Sequence, residues 1–231
     1  MTMMLTWAKA LEAGAEVVGG KGLNLARLQC DNFDIPTGGV LSAQVYRSLI
    51  AKPEVYALIN VIERIATEDL NSIQAQQYCV SLQQVIQGQV LPSEVLDDIR
   101  RFLQQLNIGD CALVIRSSAT LEDGQAASFA GIHDSFLDVH GEAEIAQAIL
   151  ACIASLWSVR AVSYRRKMNI PDANVAAAVV VCELIHAQVS GVAFSCDPLT
   201  GCTDISLINA NFGLGESVVA GVTELDQCMF L

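Results

Sequence analysis

Positive charge is scarce in this sequence, and the scarcity excludes one broad class of function. The chain holds 13 lysines and arginines against 25 aspartates and glutamates, so its formal net charge is −12 at pH 7. A protein that binds nucleic acid along its surface needs a basic face to neutralise the phosphates. We therefore expect no nucleic acid among the partners, although a local basic pocket for a single nucleotide is compatible with this balance.

Long apolar runs without a charge are also missing. No such run approaches about 18 residues, the length that a membrane-spanning helix requires. The first residues, MTMMLTWAKALEAG, have no basic start before an apolar segment and no clear cleavage site, which argues against a secretory signal. We therefore expect a cytoplasmic protein that does not contact a membrane.

Several short motifs for metal, redox and nucleotide sites are absent as well. The eight cysteines form no C-x-x-C pair, so we expect reduced thiols that lie mostly in the core, and neither a zinc ribbon nor a redox motif. The segment at residues 19–22, GGKG, does not have the spacing of a Walker A loop. The glycines of NFGLGE, at residues 211–216, lack the third glycine of a dinucleotide-binding turn.

Hydrophobic residues make up 52% of the chain, and much of its first half has helical spacing. Between residues 53 and 106 the apolar positions recur at roughly helical intervals, which predicts packing helices and no chemistry. Ser42 and Ser93 are predicted to cap two helices, the first of which would run to Ile50. The predicted inner stripe of the middle helix consists of Ile73, Tyr78, Leu82, Val85 and Ile86.

The second half combines one strong helical pattern with several strands. Residues 142–167 predict a single long helix, whose basic end at residues 165–167 is expected to be solvated. Apolar segments at 175–185, 189–194 and 205–208 predict strands. Together these elements predict an α+β fold with two lobes, a largely helical lobe of residues 1–110 and an α+β lobe of residues 111–231.

The stretch at residues 112–131, ALVIRSSATLEDGQAASFAG, is the centre of the functional interpretation. Its apolar start predicts a buried strand that ends at Arg116, before a loop of hydroxyl and small residues. A guanidinium at a strand end suits a phosphate, because it donates two parallel hydrogen bonds, and nearby hydroxyl and backbone N–H groups can complete an anion cradle. An arginine paired with a carboxylate beside an ordinary loop is the competing interpretation.

The glycine-rich segment near the start offers a second, weaker signal. Glycines before a helix let backbone N–H groups approach an anion, and Lys21 supplies a positive charge there. A solvated turn explains the same residues. His133, His140 and His186 lie in no recognisable catalytic surroundings and are interpreted as structural.

Five segments taken together resemble a known family. They are GGKG, IRSSATLEDGQAASFAG, SLWSVRAVSYR, SGVAFSCDPLTG and NFGLGESVVAG, in this order. The set is similar to the N-terminal nucleotide-binding domain of phosphoenolpyruvate synthases, which pyruvate phosphate dikinases and rifampicin phosphotransferases share. The resemblance covers nearly the whole chain and implies an ATP-grasp fold that binds ATP with Mg²⁺. In the family, the β-phosphoryl group then passes to a histidine on a separate swivelling domain.

The resemblance also implies a set of ATP-binding residues. Lys21 and Arg116 would hold the ATP phosphates, and Gly131 would approach them by its backbone. Ser135 would assist through its hydroxyl, where relatives often carry threonine. Cys182 stands near the adenine at a position where relatives carry glutamine, and a thiol is a poor substitute for an amide.

Other family features have no match in the sequence. The resemblance places the magnesium ligands and the phosphorylated histidine beyond this chain, so no metal ligand is assigned and the fold is expected to be incomplete at its C-terminus. The first hypothesis is an ATP-binding domain of a phosphoenolpyruvate synthase-like phosphotransferase, truncated or acting with a separate chain that carries the histidine and pyruvate domains; a rifampicin phosphotransferase-like domain is an alternative to it. The second is a non-catalytic nucleotide-binding or interaction module. A third is an apolar-rich domain that binds nothing.

Overall fold

The computed structural model describes residues 2–120, 134–215, 218 and 226–230. The chain divides into two compact units, Met1–Leu184 and Ile185–Leu231. Helices and antiparallel sheets occur together, so the predicted α+β class is confirmed. The two lobes expected on either side of residue 110 stay a prediction.

A five-stranded antiparallel sheet forms the centre of the first unit. Its strands lie in the order β1-β2-β5-β3-β4, so β5 lies in the middle. All residues of β5 except its last are buried, because strands flank both of its edges and helices cover the sheet. The strand bounds are β1 (Met4–Thr6), β2 (Gly38–Leu41), β3 (Leu113–Ala119), β4 (Ser135–Val139) and β5 (Ala177–Glu183).

Among the described residues of the first unit, eight α-helices pack with this sheet or with one another. Apolar side chains of helices and sheet form one continuous core, which includes the large buried residues Trp157, Tyr46 and Met4. The helix bounds are α1 (Trp7–Ala13), α2 (Ala15–Cys30), α3 (Ala43–Ile50), α4 (Pro53–Glu63), α5 (Ile73–Gln87), α6 (Ser93–Gln105), α7 (Gly141–Ser155) and α8 (Val159–Lys167).

The predicted helix starts had mixed outcomes. Ser42 caps α3 as predicted, because its hydroxyl accepts a hydrogen bond from the Gln44 backbone N–H at 3.2 Å, and this helix runs to Ile50. The cap predicted at Ser93 is wrong, since Pro92 occupies the N-cap and Ser93 is already the first helical residue. Ile73 begins α5 with 77% of its surface exposed, so its predicted place in the inner stripe is also wrong.

The single helix predicted for residues 142–167 is two helices. After Leu156 ends α7, the Ser158 hydroxyl accepts from the Ala161 backbone N–H at 3.2 Å and caps the start of α8. The stretch Gly141–Lys167 is long and apolar enough to cross a membrane by length and composition. Because 67% of its most apolar window is buried against the rest of the chain, we assign it to the core.

The basic end of α8 is not the solvated cluster that the sequence suggested. Arg165 is fully buried, donates to the Asp172 carboxylate at 2.8 Å and lies over the Trp157 ring. Arg166 donates to the other oxygen of the same carboxylate at 2.9 Å. These two arginines therefore fasten α8 to the 3₁₀ turn Asp172–Asn174.

The second unit contains a three-stranded antiparallel sheet in the order β6-β7-β8. Its strands are β6 (Val189–Phe194), β7 (Ser206–Phe212) and β8 (Asp226–Phe230), and the first of them has the predicted bounds. The turn between β6 and β7 is held by Asp197, whose carboxylate accepts from the Leu199 backbone N–H at 2.9 Å and from the Thr200 hydroxyl at 2.6 Å. These bonds, the Thr200 bond foremost, lower the pKa of Asp197.

The cysteines are all free, and all eight lie among the described residues. The expectation that they lie mostly in the core is wrong: Cys79, Cys152 and Cys182 are buried, whereas the other five are exposed or half-buried. Two of those five lie at exposed positions of the fold: Cys30 at the end of α2 and Cys228 in the exposed strand β8.

Candidate functional site

Arg116 lies in the middle of a strand rather than at its end. It is exposed, whereas the six other residues of β3 are buried. The predicted strand end is wrong because β3 continues to pair with β5 through Ala119, opposite Ala177. The hydroxyls of Ser117 and Ser118, expected in a loop, are consequently buried within the strand.

The register of the sheet brings three predicted site residues to one face. Arg116 lies directly opposite Ser135 on β4 and opposite Val180 on β5. Cys182 lies opposite Val114, two residues before the arginine on β3. Since side chains two apart on a strand, and those directly opposite across strands, share a face, Ser135, Arg116 and Cys182 lie on the same side of the sheet.

Lys21 approaches this face from a kinked helix. Residues 19–22, predicted as a turn before a helix, lie inside α2, and the kink falls at Gly19, with φ 70° and ψ 173°. A Cβ atom at Gly19 would lie 2.1 Å from the Ser118 carbonyl oxygen, so only glycine fits against the strand there. The half-buried Lys21 therefore belongs to a segment packed directly on β3.

Ser118 connects the two elements with its side chain. Its hydroxyl accepts from the Gly22 backbone N–H at 3.0 Å and donates to the Val18 carbonyl at 2.8 Å. It lies two residues after Arg116 on β3 and so shares the face of the arginine. Sequence reasoning missed this role, because its partners lie 96 and 100 residues away and no local pattern marks them.

The two cations also act on one buried thiol, which places them in the same neighbourhood. Burial raises the pKa of Cys152, and Asp134 adds to the rise, whereas Lys21 and Arg116 act against it. The thiol of Cys152 lies 3.7 Å from the Ile115 carbonyl oxygen. The region around Arg116 thus combines two positive charges with a nearby carboxylate, Asp134.

Cys182 presents a neutral thiol. Burial raises its pKa to about 11, although Arg116 opposes the shift. Gly38 lies opposite on β2, and a Cβ atom there would lie 2.5 Å from the Cys182 Cβ atom, so the pair is tightly packed. A neutral thiol in this place can make only weak hydrogen bonds.

The remaining predicted features of the site can be located only in part. Gly131 falls outside the described residues, as do the other residues of the range 121–133, where the sequence predicted a loop. Among the described residues, no group of three or more His, Cys, Asp or Glu side chains is placed to hold a metal ion. Two cavities of about 500 and 420 Å³ are lined by other residues, the larger between α6 and α7 and the smaller beside Arg166.

Known proteins resemble this chain over most of its length. Rifampicin phosphotransferase of Streptomyces sviceus is 35% identical over 217 residues, which cover 93% of this chain and 25% of the relative. A probable phosphoenolpyruvate synthase of Staphylothermus marinus is 34% identical over 221 residues, covering 91% and 26%. A probable phosphoenolpyruvate synthase of Methanothermobacter thermautotrophicus is 33% identical over 213 residues, covering 89% and 30%. The chain thus spans between a quarter and a third of the length of these relatives.

A family model matches residues 15–230 and is described as the pyruvate phosphate dikinase, AMP/ATP-binding domain. The matched range includes α2 with Lys21, the strand that carries Arg116, and the strand that carries Cys182. The resemblance inferred from the five sequence segments is therefore confirmed. This chain belongs to the pyruvate phosphate dikinase, AMP/ATP-binding domain family.

Proposed function

We propose that this chain binds ATP and that the face of the first sheet around Arg116 holds the triphosphate. The observation that carries the proposal is the register of β3. It aligns Arg116 with Ser135 and brings Ser118, two residues further on, against the helix that holds Lys21. Two cations and a hydroxyl then converge on one region of an otherwise acidic protein.

Each residue has a distinct part in this site. The planar guanidinium of Arg116 donates two hydrogen bonds to one phosphate, and Lys21 supplies a second positive charge from α2. The Ser135 hydroxyl donates to a phosphate oxygen next to Arg116. Gly131, by the family resemblance, adds a backbone N–H. Such an arrangement neutralises charge and fixes geometry, which is most of what phosphoryl transfer requires.

Cys182 is proposed to lie at the adenine. The face that it shares with Arg116 supports this placement, since a nucleotide lying along the sheet would extend from the arginine across β5. Its thiol makes weaker hydrogen bonds than the glutamine that the family resemblance implies at this position. We therefore expect weak discrimination between ATP and GTP. Mg²⁺ is proposed to accompany ATP, but the described residues offer no ligand group for it and no step is derived through it.

We further propose that the bound ATP serves phosphoryl transfer in an ATP-grasp architecture, with a histidine on another domain or partner chain as the acceptor. The names of the relatives support two final acceptors, pyruvate and rifampicin, at nearly equal identities of 34% and 35%. A cytoplasmic location agrees with eight free cysteines. The replacement of the family glutamine by Cys182 favours, as an alternative, a module that binds nucleotide without catalysis.

The test is calorimetric titration of ATP with Mg²⁺ into the 231-residue chain and three variants. Lys21→Ala and Arg116→Ala should each weaken binding by at least about tenfold, because a hydrogen bond to a charged group contributes about 1.5–3 kcal/mol. Arg100→Ala is the matched control. It removes the same charge from an exposed arginine that is paired with Asp97 and Glu142.

The outcomes separate the hypotheses. Binding that is weakened in both site variants and kept in the control supports the phosphate site. No heat at millimolar ATP, from a chain that circular dichroism shows to be folded, would overturn the proposal and favour a domain that binds no nucleotide. Equal losses in all three variants would indicate a general effect of charge.

A further inference from the structure

Ser118 has a buried hydroxyl with both of its hydrogen-bonding functions in use. The residue has no exposed surface, and its hydroxyl joins the Gly22 N–H and the Val18 carbonyl at 3.0 and 2.8 Å. These two backbone groups lie on opposite sides of the kink at Gly19. The hydroxyl therefore spans the kink, where the regular helical hydrogen bonds are interrupted.

The backbone of Ser118 also packs against the kinked segment of α2. Its carbonyl oxygen occupies the space that a side chain at position 19 would need, so Gly19 rests directly on the strand. The segment Val18–Gly22 is thus held at three points by one residue of β3. Lys21 lies inside this segment, and Arg116 lies two residues from Ser118 on the strand.

We infer that Ser118 is a positioning residue that fixes Lys21 relative to Arg116, so that both cations bind the same triphosphate. The inference rests on the ATP site proposed above. Without the hydroxyl, the Gly22 N–H and the Val18 carbonyl lose their buried partner, and the kinked segment can shift away from β3. A small displacement of Lys21 would remove much of its contribution to ATP affinity, since charge-assisted hydrogen bonds depend on geometry.

Ser117 provides a matched control. It is the preceding residue on the same strand, it is almost as buried, at 1% exposed, and its side chain lies on the opposite face of the sheet. Ser117→Ala and Ser118→Ala remove the same atom from adjacent buried positions. Only the second removes the contact with the Gly22 N–H.

The first measurement is ATP affinity in a double-mutant cycle on the 231-residue chain. Ser118→Ala should weaken ATP binding about tenfold, and Ser117→Ala less than about twofold. In a Lys21→Ala background, Ser118→Ala should cause little further loss, because its effect acts through the lysine. A purely structural role would instead give losses that add.

The second measurement is amide hydrogen exchange without nucleotide. In Ser118→Ala, the Gly22 amide should exchange at least about tenfold faster, while the amides of β5 keep their wild-type rates. Ser118→Cys keeps a side chain of similar size with weaker hydrogen bonds and should change Gly22 exchange in the same direction. This variant keeps the test usable if the alanine variant does not fold.

The outcomes distinguish this inference from the proposed function. If the wild-type chain binds ATP and Ser118→Ala binds equally well, or the cycle is additive, the positioning role is overturned and the ATP site stands. Unchanged Gly22 exchange in both Ser118 variants would also overturn it. If the wild-type chain binds no ATP, the proposed function fails and the inference fails with it.

Discussion

Glycine at position 19 meets two separate demands, one from backbone conformation and one from space. Gly14 and Gly19 have nearly the same backbone angles, φ 76° and ψ 172° against φ 70° and ψ 173°. These angles fall in a region that residues with a side chain rarely adopt. A Cβ atom at Gly14 would meet nothing within 4 Å, whereas at Gly19 it would overlap the Ser118 carbonyl.

We therefore predict different costs for the same substitution. Gly14→Ala should lower the free energy of unfolding by about 1–3 kcal/mol through backbone strain alone. Gly19→Ala should cost about 1–3 kcal/mol more, because the helix must also move away from β3. Urea unfolding of both variants measures the difference. Equal costs would show that the contact between Gly19 and Ser118 is loose.

The buried thiol of Cys182 predicts a loss of stability at alkaline pH. Its pKa is raised from 9.0 to about 11 in the folded chain. The folded state therefore holds the proton more tightly than the unfolded state does. The stability that the protonated thiol contributes is fully present below pH 9 and is lost as the pH rises to about 11. Each such group can lower the free energy of unfolding by at most about 1.4 kcal/mol per pH unit in this window.

Urea unfolding between pH 8 and 11 checks this expectation. The free energy of unfolding should fall less steeply with pH in Cys182→Ala than in the wild type. Its slope should stay unchanged in Cys111→Ala, which alters an exposed thiol. Cys79 and Cys152, whose pKa values burial also raises, should leave a residual slope. An unchanged slope in Cys182→Ala would mean that its thiol is solvated.

Residue types drew attention to the two cations that we propose for the ATP site, whereas the contacts that bring these cations together were not predictable. Lys21 and Arg116 stand out in the sequence because cations are few and lie beside glycines or hydroxyls. The role of Ser118 depends on a partner 96 residues away. The apolar run before Arg116 suggested a strand end, since burial of the following serines requires long-range hydrogen bonds that no local pattern reveals.

At the scale of elements, α8 depends on a buried ion pair. Asp172 pairs with Arg165 and Arg166, and the carboxylate and the first guanidinium are almost completely buried. Arg165 also donates to the Leu156 carbonyl at the end of α7. The same arginine therefore contacts both helices that meet at the break after residue 155.

Removing the Asp172 carboxylate should lower the stability of the fold strongly. Asp172→Ala leaves Arg165 buried without its counter-charge, and we expect the free energy of unfolding to fall by about 3–5 kcal/mol. Glu142→Ala is the control, because it breaks a pair with Arg100 in which both side chains are about half exposed. That change should cost no more than about 1 kcal/mol. Similar losses in thermal or urea unfolding would contradict the structural role of Asp172.

Most elements were predictable, and the misplaced boundaries have local causes. The strand Val189–Phe194 has its predicted bounds, and the strong turn signal of residues 197–201 follows it closely. The helix predicted over 142–167 is broken where Ser158 takes the cap position of a new helix. Apolar periodicity continues through such a break, so the pattern alone predicted one helix.

At the scale of the whole molecule, the first sheet draws its strands from distant parts of the chain. Residues 38–41 of β2 pair with residues 179–182 of β5, and β3 pairs with the other edge of β5. A largely helical lobe of residues 1–110 therefore contains β1 and β2 but lacks the strand that completes their sheet.

We predict that a fragment of residues 1–110 does not unfold cooperatively, whereas a fragment of residues 1–184 does. The longer fragment contains every strand of the first sheet and its core. Near-ultraviolet circular dichroism and urea unfolding of both fragments check the expectation. A cooperative transition in residues 1–110 would instead support two lobes that meet near residue 110.

The central position of β5 has a consequence during synthesis on the ribosome. The inner edge of β2 has no partner until residues 177–183 have been made, about 140 residues later. At about 5–20 residues per second, this interval is roughly 7 to 28 seconds. A nascent chain with an open strand edge for that long is exposed to aggregation. Translation speed and chaperone access should therefore influence the yield of folded protein.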